Sequence, residues 1–228
     1  LPELSKEERK VWELDLIINR RGIAADVEAA AKAKDLAASL TENLNGRLFE
    51  LTGGEVDKAS RVGALKSYLA KNGVNVDSMD KASVSALMAD SSISQNVKDV
   101  IKIRQQVGKS STAKYSAILD VAANHDHRLR GLLQYHAAGT GRWGGRLVQP
   151  QNFPKGLGFD SEKVVEDVLS LDISDFNMKY GDKAIDALSA GLRAVITAGP
   201  GKTLVSADYA SIEARVLLWL ADDPFALA

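Results

Sequence analysis

Leu204-Val205-Ser206-Ala207-Asp208-Tyr209-Ala210-Ser211-Ile212-Glu213-Ala214-Arg215 is the most informative stretch of the chain. Its opening, within Thr203 to Ala207, is a short apolar run that reads as a buried strand ending at Asp208. Its second part opens a helix, because Ile212, Val216 and Leu220 recur every four residues, and Pro224 closes it. A strand that delivers a carboxylate at its end, followed at once by a helix, is a rigid platform for a hard cation such as Mg2+, which takes oxygen ligands. Glu213 lies about one helical turn beyond Asp208 and can rim the same place. Asp208 reads equally well as a plain helix cap.

The preceding Ala198-Gly199-Pro200-Gly201-Lys202-Thr203 imitates the end of a phosphate-binding P-loop. The full pattern needs a glycine where Ile196 stands, and it should lead into a helix, whose first N–H groups cradle the phosphate. Here it leads into an apolar run, so it reads as a turn between two strands. Helices are expected near 160–171 and 182–193. Upstream lies a Gly-rich loop, Gly139-Thr140-Gly141-Arg142-Trp143-Gly144-Gly145-Arg146, followed by Gln149-Pro150-Gln151-Asn152-Phe153-Pro154. Glycines allow close approach of backbone to a ligand, and Arg142, Arg146, Gln149, Gln151 and Asn152 supply donors suited to phosphates, sugars and base edges. A solvated surface loop is the plainer reading of the same residues. Leu129, Leu133 and Tyr135 alternate within 127–140 and suggest a strand.

The first half reads as helical. Asp26 is suited to cap a helix over 26–51, with Leu36, Leu40, Leu44 and Leu48 on one face and Gly53-Gly54 as its stop. A second helix starts at Ser60 and stops at Asn72-Gly73, with Leu65 and Leu69 inward; a short third follows Ser83. One or two more occupy 93–123, with Val97, Ile101 and Ile118 among their apolar positions.

The chain has 228 residues, 45% hydrophobic and 26% charged, enough for a sizeable core and too apolar for a disordered chain. It has no Cys, which excludes disulfides, thiolate nucleophiles and Cys-ligated zinc within it. Its three His, at 125, 127 and 136, make a His-rich metal site unlooked for, and His125 and His127 read as surface residues. The longest apolar run, Val216 to Ala221, is far short of a membrane span, and the N-terminus has no apolar signal region, so no membrane partner is expected. Net charge is −1, but nine basic and two acidic residues between Ile101 and Lys155 give that stretch +7. A basic middle between acidic flanks suits a surface that faces phosphates; a solvated helix face would look the same.

Asp208 to Arg215 resembles motif A of the family A DNA polymerases, the bacterial polymerase I class, whose usual form is DYSQIELR; five of the eight positions are identical. Thr140-Gly141-Arg142 followed by Gln151-Asn152-Phe153-Pro154 resembles that family's TGR…QNIP segment at the same spacing, in a phage-like variant in which Trp143 to Val148 replace a Ser-rich stretch. Ile18-Asn19-Arg20-Arg21-Gly22-Ile23 resembles the segment that opens the polymerase region, Lys109-Ser110-Ser111-Thr112 a thumb tip, and Arg193 to Ile196 the strand before motif A.

The resemblance implies an α+β fold: a helical thumb plus the N-terminal part of an antiparallel-sheet palm of a right-hand polymerase. Residues 1–30 would be a palm-base segment, 31–126 the thumb, and 127–228 the first part of the palm. It implies template-directed DNA synthesis by two-metal catalysis. Asp208 and the Tyr209 carbonyl would be ligands of Mg2+, and Glu213 a steric gate against the ribose 2′-hydroxyl. Arg142 would contact the primer end, Gln151 and Asn152 the nearby duplex, and Lys109, Ser110 and Thr112 backbone phosphates. The partners would be primer–template DNA and dNTP, in the cytoplasm of a bacterial or phage-infected cell. The fingers and the rest of the palm fall after motif A in that family, so the chain is expected to be an incomplete piece, inactive alone. The alternative is a non-catalytic DNA-binding module derived from a polymerase.

Overall fold

Runs of helix-favouring residues, each opened by a short polar cap, set the architecture. A computed structural model describes residues 4–76, 78–123 and 125–222, with main chain only at residues 81, 82 and 110. In chain order they form α1 (Lys6–Arg21), β1 (Ile23–Ala25), α2 (Val27–Leu51), α3 (Val62–Lys71), α4 (Lys81–Ala89), α5 (Gln95–Val107) and α6 (Ala113–Val121). After these come β2 (Arg128–Leu129), β3 (Leu133–Gln134), β4 (Gly144–Gly145), α7 (Ser161–Ser170), α8 (Ile173–Tyr180), α9 (Ala184–Gly191), β5 (Ile196–Thr197) and α10 (Ile212–Leu220). The fold is α+β, helices with small antiparallel sheets: β1 lies between β2 and β5 in one, and β3 pairs with β4 in the other. Among the described residues no helix is long and apolar enough to cross a membrane.

The Asp26 cap is as the sequence predicts: its Oδ1 accepts from Ala29 N at 2.9 Å and opens α2. Ser5, Asp80, Ser94, Asp160 and Asp172 cap α1, α4, α5, α7 and α8 in the same manner. Each such cap is worth about 1 kcal/mol. The chain divides after Thr197 into two compact units. The first holds two hydrophobic clusters. The larger gathers Leu36 and Leu40 of α2, Tyr115 and Ile118 of α6, Leu129, Phe176, Leu188 and Leu192. The smaller gathers Leu48, Val56, Leu65, Leu69, Val97, Val100 and Ile101. The leucine ladder of α2 thus feeds both, and Leu44 packs against each.

Three expectations need correction. The strand read at 203–207 does not form: these residues are irregular and exposed. Apolar character alone makes no strand; a ladder partner is needed, and among the described residues none pairs there. The turn before it does form, with Lys202 N donating to Gly199 O at 3.0 Å. The strand read over 127–140 is two short pieces, β2 and β3, which enter different sheets because Gly131, at φ 65°, turns the chain between them. The Gly-rich loop contains β4. In addition, α8 has no counterpart in the sequence reading, and Pro224, read as the stop of α10, lies outside the described residues.

The α7–α8 corner carries a buried carboxylate. Asp167, 4% exposed, accepts from Lys179 Nζ and Tyr180 Oη, both at 2.5 Å on Oδ2. Burial alone would raise its pKa, but these bonds and the nearby ammonium groups outweigh it and hold the carboxyl below its ordinary value. A depressed native pKa stabilises the fold above the unfolded value and loses that contribution as pH falls through the native one. Asp167→Asn is therefore expected to destabilise by about 2 kcal/mol at pH 7, from the loss of charge-assisted bonds. Urea melts should show that difference shrinking below about pH 4.

Candidate functional site

The loop after β3 is pinned at both ends before it presents any polar group. Val148 and Phe153 are buried. Lys114 of α6 donates to Val148 O at 2.9 Å and stands 5.7 Å from the Phe153 ring centre. Arg193, just past α9, donates from Nε to Pro154 O and from Nη2 to Phe153 O, each at 2.9 Å. Between these anchors, Gln151 and Asn152 sit exposed in one 3-10 turn, Pro150–Asn152. Asn152 Nδ2 donates to Gln149 Oε1 at 2.8 Å, which orients both amides. The Gln151 amide lies where a Cβ on Gly145 would have to be, so the glycine of β4 is what lets Gln151 cross the ribbon. Arg142 is exposed in the tight turn closed by Gly141 N to Ala138 O at 2.9 Å; Gly141, at φ 78°, needs to be glycine there. Arg142, Gln151 and Asn152 are thus brought onto one supported loop system.

Lys109, Ser110 and Thr112 share a second turn, Ser110–Thr112, that leads into α6. It is tied to α9. Lys109 Nζ meets Asp186 Oδ1 at 2.5 Å, and the Ser111 and Ser189 hydroxyls are 2.6 Å apart. Lys109, expected on phosphates, is held by a carboxylate of its own fold. Thr112 Oγ1 reaches only the Lys109 carbonyl, at 3.5 Å; the side chain of Ser110 is outside those described. Asp186 lies 77 residues from Lys109 and carries no local signal of this role.

The Ile18–Ile23 segment is structural. Asn19 brackets Leu133, donating to its O at 3.0 Å and accepting from its N at 2.9 Å. Arg128 donates to Arg21 O and Gly22 O, and Arg130 to Arg20 O. Arg130 also forks onto Asp126 and, through those hydrogen bonds, holds its carboxyl well below the usual carboxylate range.

In the second unit, Asp208 is exposed, and its Oδ1 accepts from Tyr209 N at 2.9 Å. Tyr209 is 78% exposed. Ser211, at φ 53°, turns the chain into α10, whose first turn carries Glu213. Arg215 Nε donates back to Ala210 O at 3.0 Å and closes the turn. Asp208 can offer one carboxylate to a cation and Tyr209 its carbonyl. Among the described residues no group of three or more His, Asp or Glu side chains is gathered to hold a metal, so these two do not by themselves complete a magnesium site.

A DNA polymerase of Bacillus phage SP02 is 31% identical to this chain over 223 residues, which are 97% of the chain and 34% of that protein. The chain is thus similar along nearly its whole length to a DNA polymerase, and spans about a third of the length of that curated relative. No protein-family model matches the chain. No solved structure matches it.

Proposed function

We propose that the chain serves template-directed DNA synthesis, the transfer of a nucleotide from a dNTP to a primer 3′-hydroxyl, as part of a family A DNA polymerase. The observation that carries this is the similarity to a phage DNA polymerase along 97% of the chain. In this reading 31–126 is the thumb and 127–228 the first part of the palm, with 1–30 at the palm base. Arg142, Gln151 and Asn152 contact primer–template in the minor groove, where acceptors are similar for every base pair and donors can check pairing without reading sequence. Lys109, Ser110 and Thr112 contact phosphates, a sequence-blind and salt-sensitive grip. Asp208 and the Tyr209 carbonyl contribute oxygens to a Mg2+ site that substrate phosphates help to complete. Glu213 restricts the sugar of the incoming nucleotide. The work is done in the cytoplasm of a bacterial or phage-infected cell.

The test uses the gene product that carries this chain, with a labelled primer on a longer template. Extension that follows the template sequence is expected, together with primer–template affinity that falls steeply with salt. Salt-sensitive binding without any extension would replace this reading by the DNA-binding module. Neither binding nor extension would overturn both.

A further inference from the structure

The ribbon of β3 and β4 exposes apolar side chains at a place where the fold spends conformational freedom to hold them out. Trp143 is 42% exposed and Leu147 60%. Leu147 has φ 56° and Gln149 φ 51°, both in the left-handed region that non-glycine residues seldom occupy. The two bends bracket Val148, which is fully buried. The hook plants Val148 in the core and turns Leu147 outward, an arrangement that packing alone does not require. Backbone outliers of this kind concentrate where a segment contacts a ligand.

Trp143 itself is firmly seated at its main chain. β4 begins at the next residue, in register Gln134↔Gly144 and Leu133↔Gly145. Ala138 N donates to Arg142 O at 3.2 Å, and Arg146 N to Leu132 O at 2.7 Å, so the ribbon is bonded on either side of Trp143. β3 ends at Gln134, and Tyr135 and His136 turn the chain, with His136 at φ 48°. The Tyr135 hydroxyl bonds to Glu8 of α1, and its ring meets His136 edge-on at 5.8 Å. The ribbon thus presents an exposed indole that lies between Arg142 and Arg146 in the chain. Between Gly139 and Lys155 every charged side chain is basic: Arg142, Arg146 and Lys155.

Aromatic faces interleaved with cations are the chemistry that holds unpaired bases, each base stacking on a ring while its phosphate meets a cation. Within a duplex the base faces are already covered by their neighbours, so an indole finds a free face only on an unpaired base. We infer that Trp143 is a stacking platform for an unpaired base of the single-stranded template, with Leu147 covering the adjoining sugar and Arg146 on the phosphate side. This rests on the reading of the chain as a DNA-binding part of a polymerase, and concerns a segment that the resemblance leaves without a role.

The gene product that carries this chain is titrated by fluorescence anisotropy against two labelled DNAs of equal duplex length, one blunt and one with a 5′ thymidine overhang. Trp143→Ala is expected to weaken overhang binding about tenfold, the order of one lost base stack, and to leave blunt-duplex binding and the salt slope unchanged. Trp143→Phe, which keeps an aromatic face, should recover most of the loss. Equal weakening on both DNAs, or no weakening on either while the wild-type chain binds, overturns the stacking role and leaves the polymerase reading standing. Failure of the wild-type chain to bind either DNA overturns both.

Discussion

Asp208→Ala in the gene product that carries this chain is expected to lower nucleotide incorporation by about a thousandfold or more, the scale on which removal of a group that stabilises transition-state charge is felt. Primer–template binding should be unchanged. The turn around Asp208 explains why activity and fold should separate. Arg215 closes the turn onto Ala210, Arg215 N donates to Ser211 O at 3.0 Å, and Ser211 carries the left-handed bend. The carboxylate adds one bond, to the Tyr209 N–H at an exposed position, where water is a ready substitute. Circular dichroism should therefore show the helix content retained. Near-normal extension by the alanine variant would remove Asp208 from the chemistry and leave it an exposed residue of the turn before α10, which it does not cap.

The largest structural effect is expected at Gly22, where α1 ends and β1 begins. Gly22 has φ 63°, and a Cβ there would lie 2.5 Å from Leu129 O and 2.8 Å from Arg130 Cγ. Leu129 O belongs to β2, which pairs with β1 through Ile23↔Leu129, so the clash is with backbone that cannot swing aside. Relief requires the ladder to open or α1 to move, and α1 is tethered by Asn19 to Leu133. With φ 63° and ψ −173° this is a conformation essentially kept to glycine, which costs about 1–3 kcal/mol for alanine, and overpacking against fixed backbone adds about 1–3 kcal/mol. Gly22→Ala should lower the melting temperature by about 10 °C in a domain of this size. Gly46→Ala is the matched control: a Cβ there meets nothing within 4 Å, and the residue is inside α2. It should raise stability by about 0.5–1 kcal/mol. Melts in which both variants move in the same direction would contradict this account.

How much was legible in the sequence depended on how local the cause was. The α2 helix is written in its own residues, an Asp26 cap and a leucine at every fourth place, and it forms where that pattern runs. Leu65, Leu69, Val97, Ile101 and Ile118 are buried for the same reason. By contrast, α8 is short and has Phe176 as its one fully buried side chain, so no periodicity announces it. β4 is two glycines, residues of low strand preference, and exists only because β3 is beside it. The run 203–207 has strand composition and no partner. In the candidate site, the loop bearing Arg142, Gln151 and Asn152 could be read from its glycines and amides. Its supports could not: Lys114 and Arg193 lie 34 and 39 or more residues from the carbonyls they hold. Asp167 looks like one more charge on a helix, and its burial comes from the following helix folding back over it.

One helix shared by two cores has a mechanical consequence. α2, with 25 residues, is about 37 Å long. Leu36 and Leu40 are bedded in the larger cluster and Leu48 in the smaller, so α2 is a lever with its fulcrum near Leu40. A tilt of about 10° about that point would carry the far end about 3 Å and would work the shared Leu44 against both clusters. Besides the shared Leu44 and the Ser111–Ser189 hydroxyl pair, part of what restrains that swing is polar and shallow: the Lys109–Asp186 pair, with side chains 33% and 28% exposed, and Gln106 on Asp182 O. Such ties are worth about 1 kcal/mol each and exchange readily with an incoming anion. They are the part of the restraint that releases at small cost.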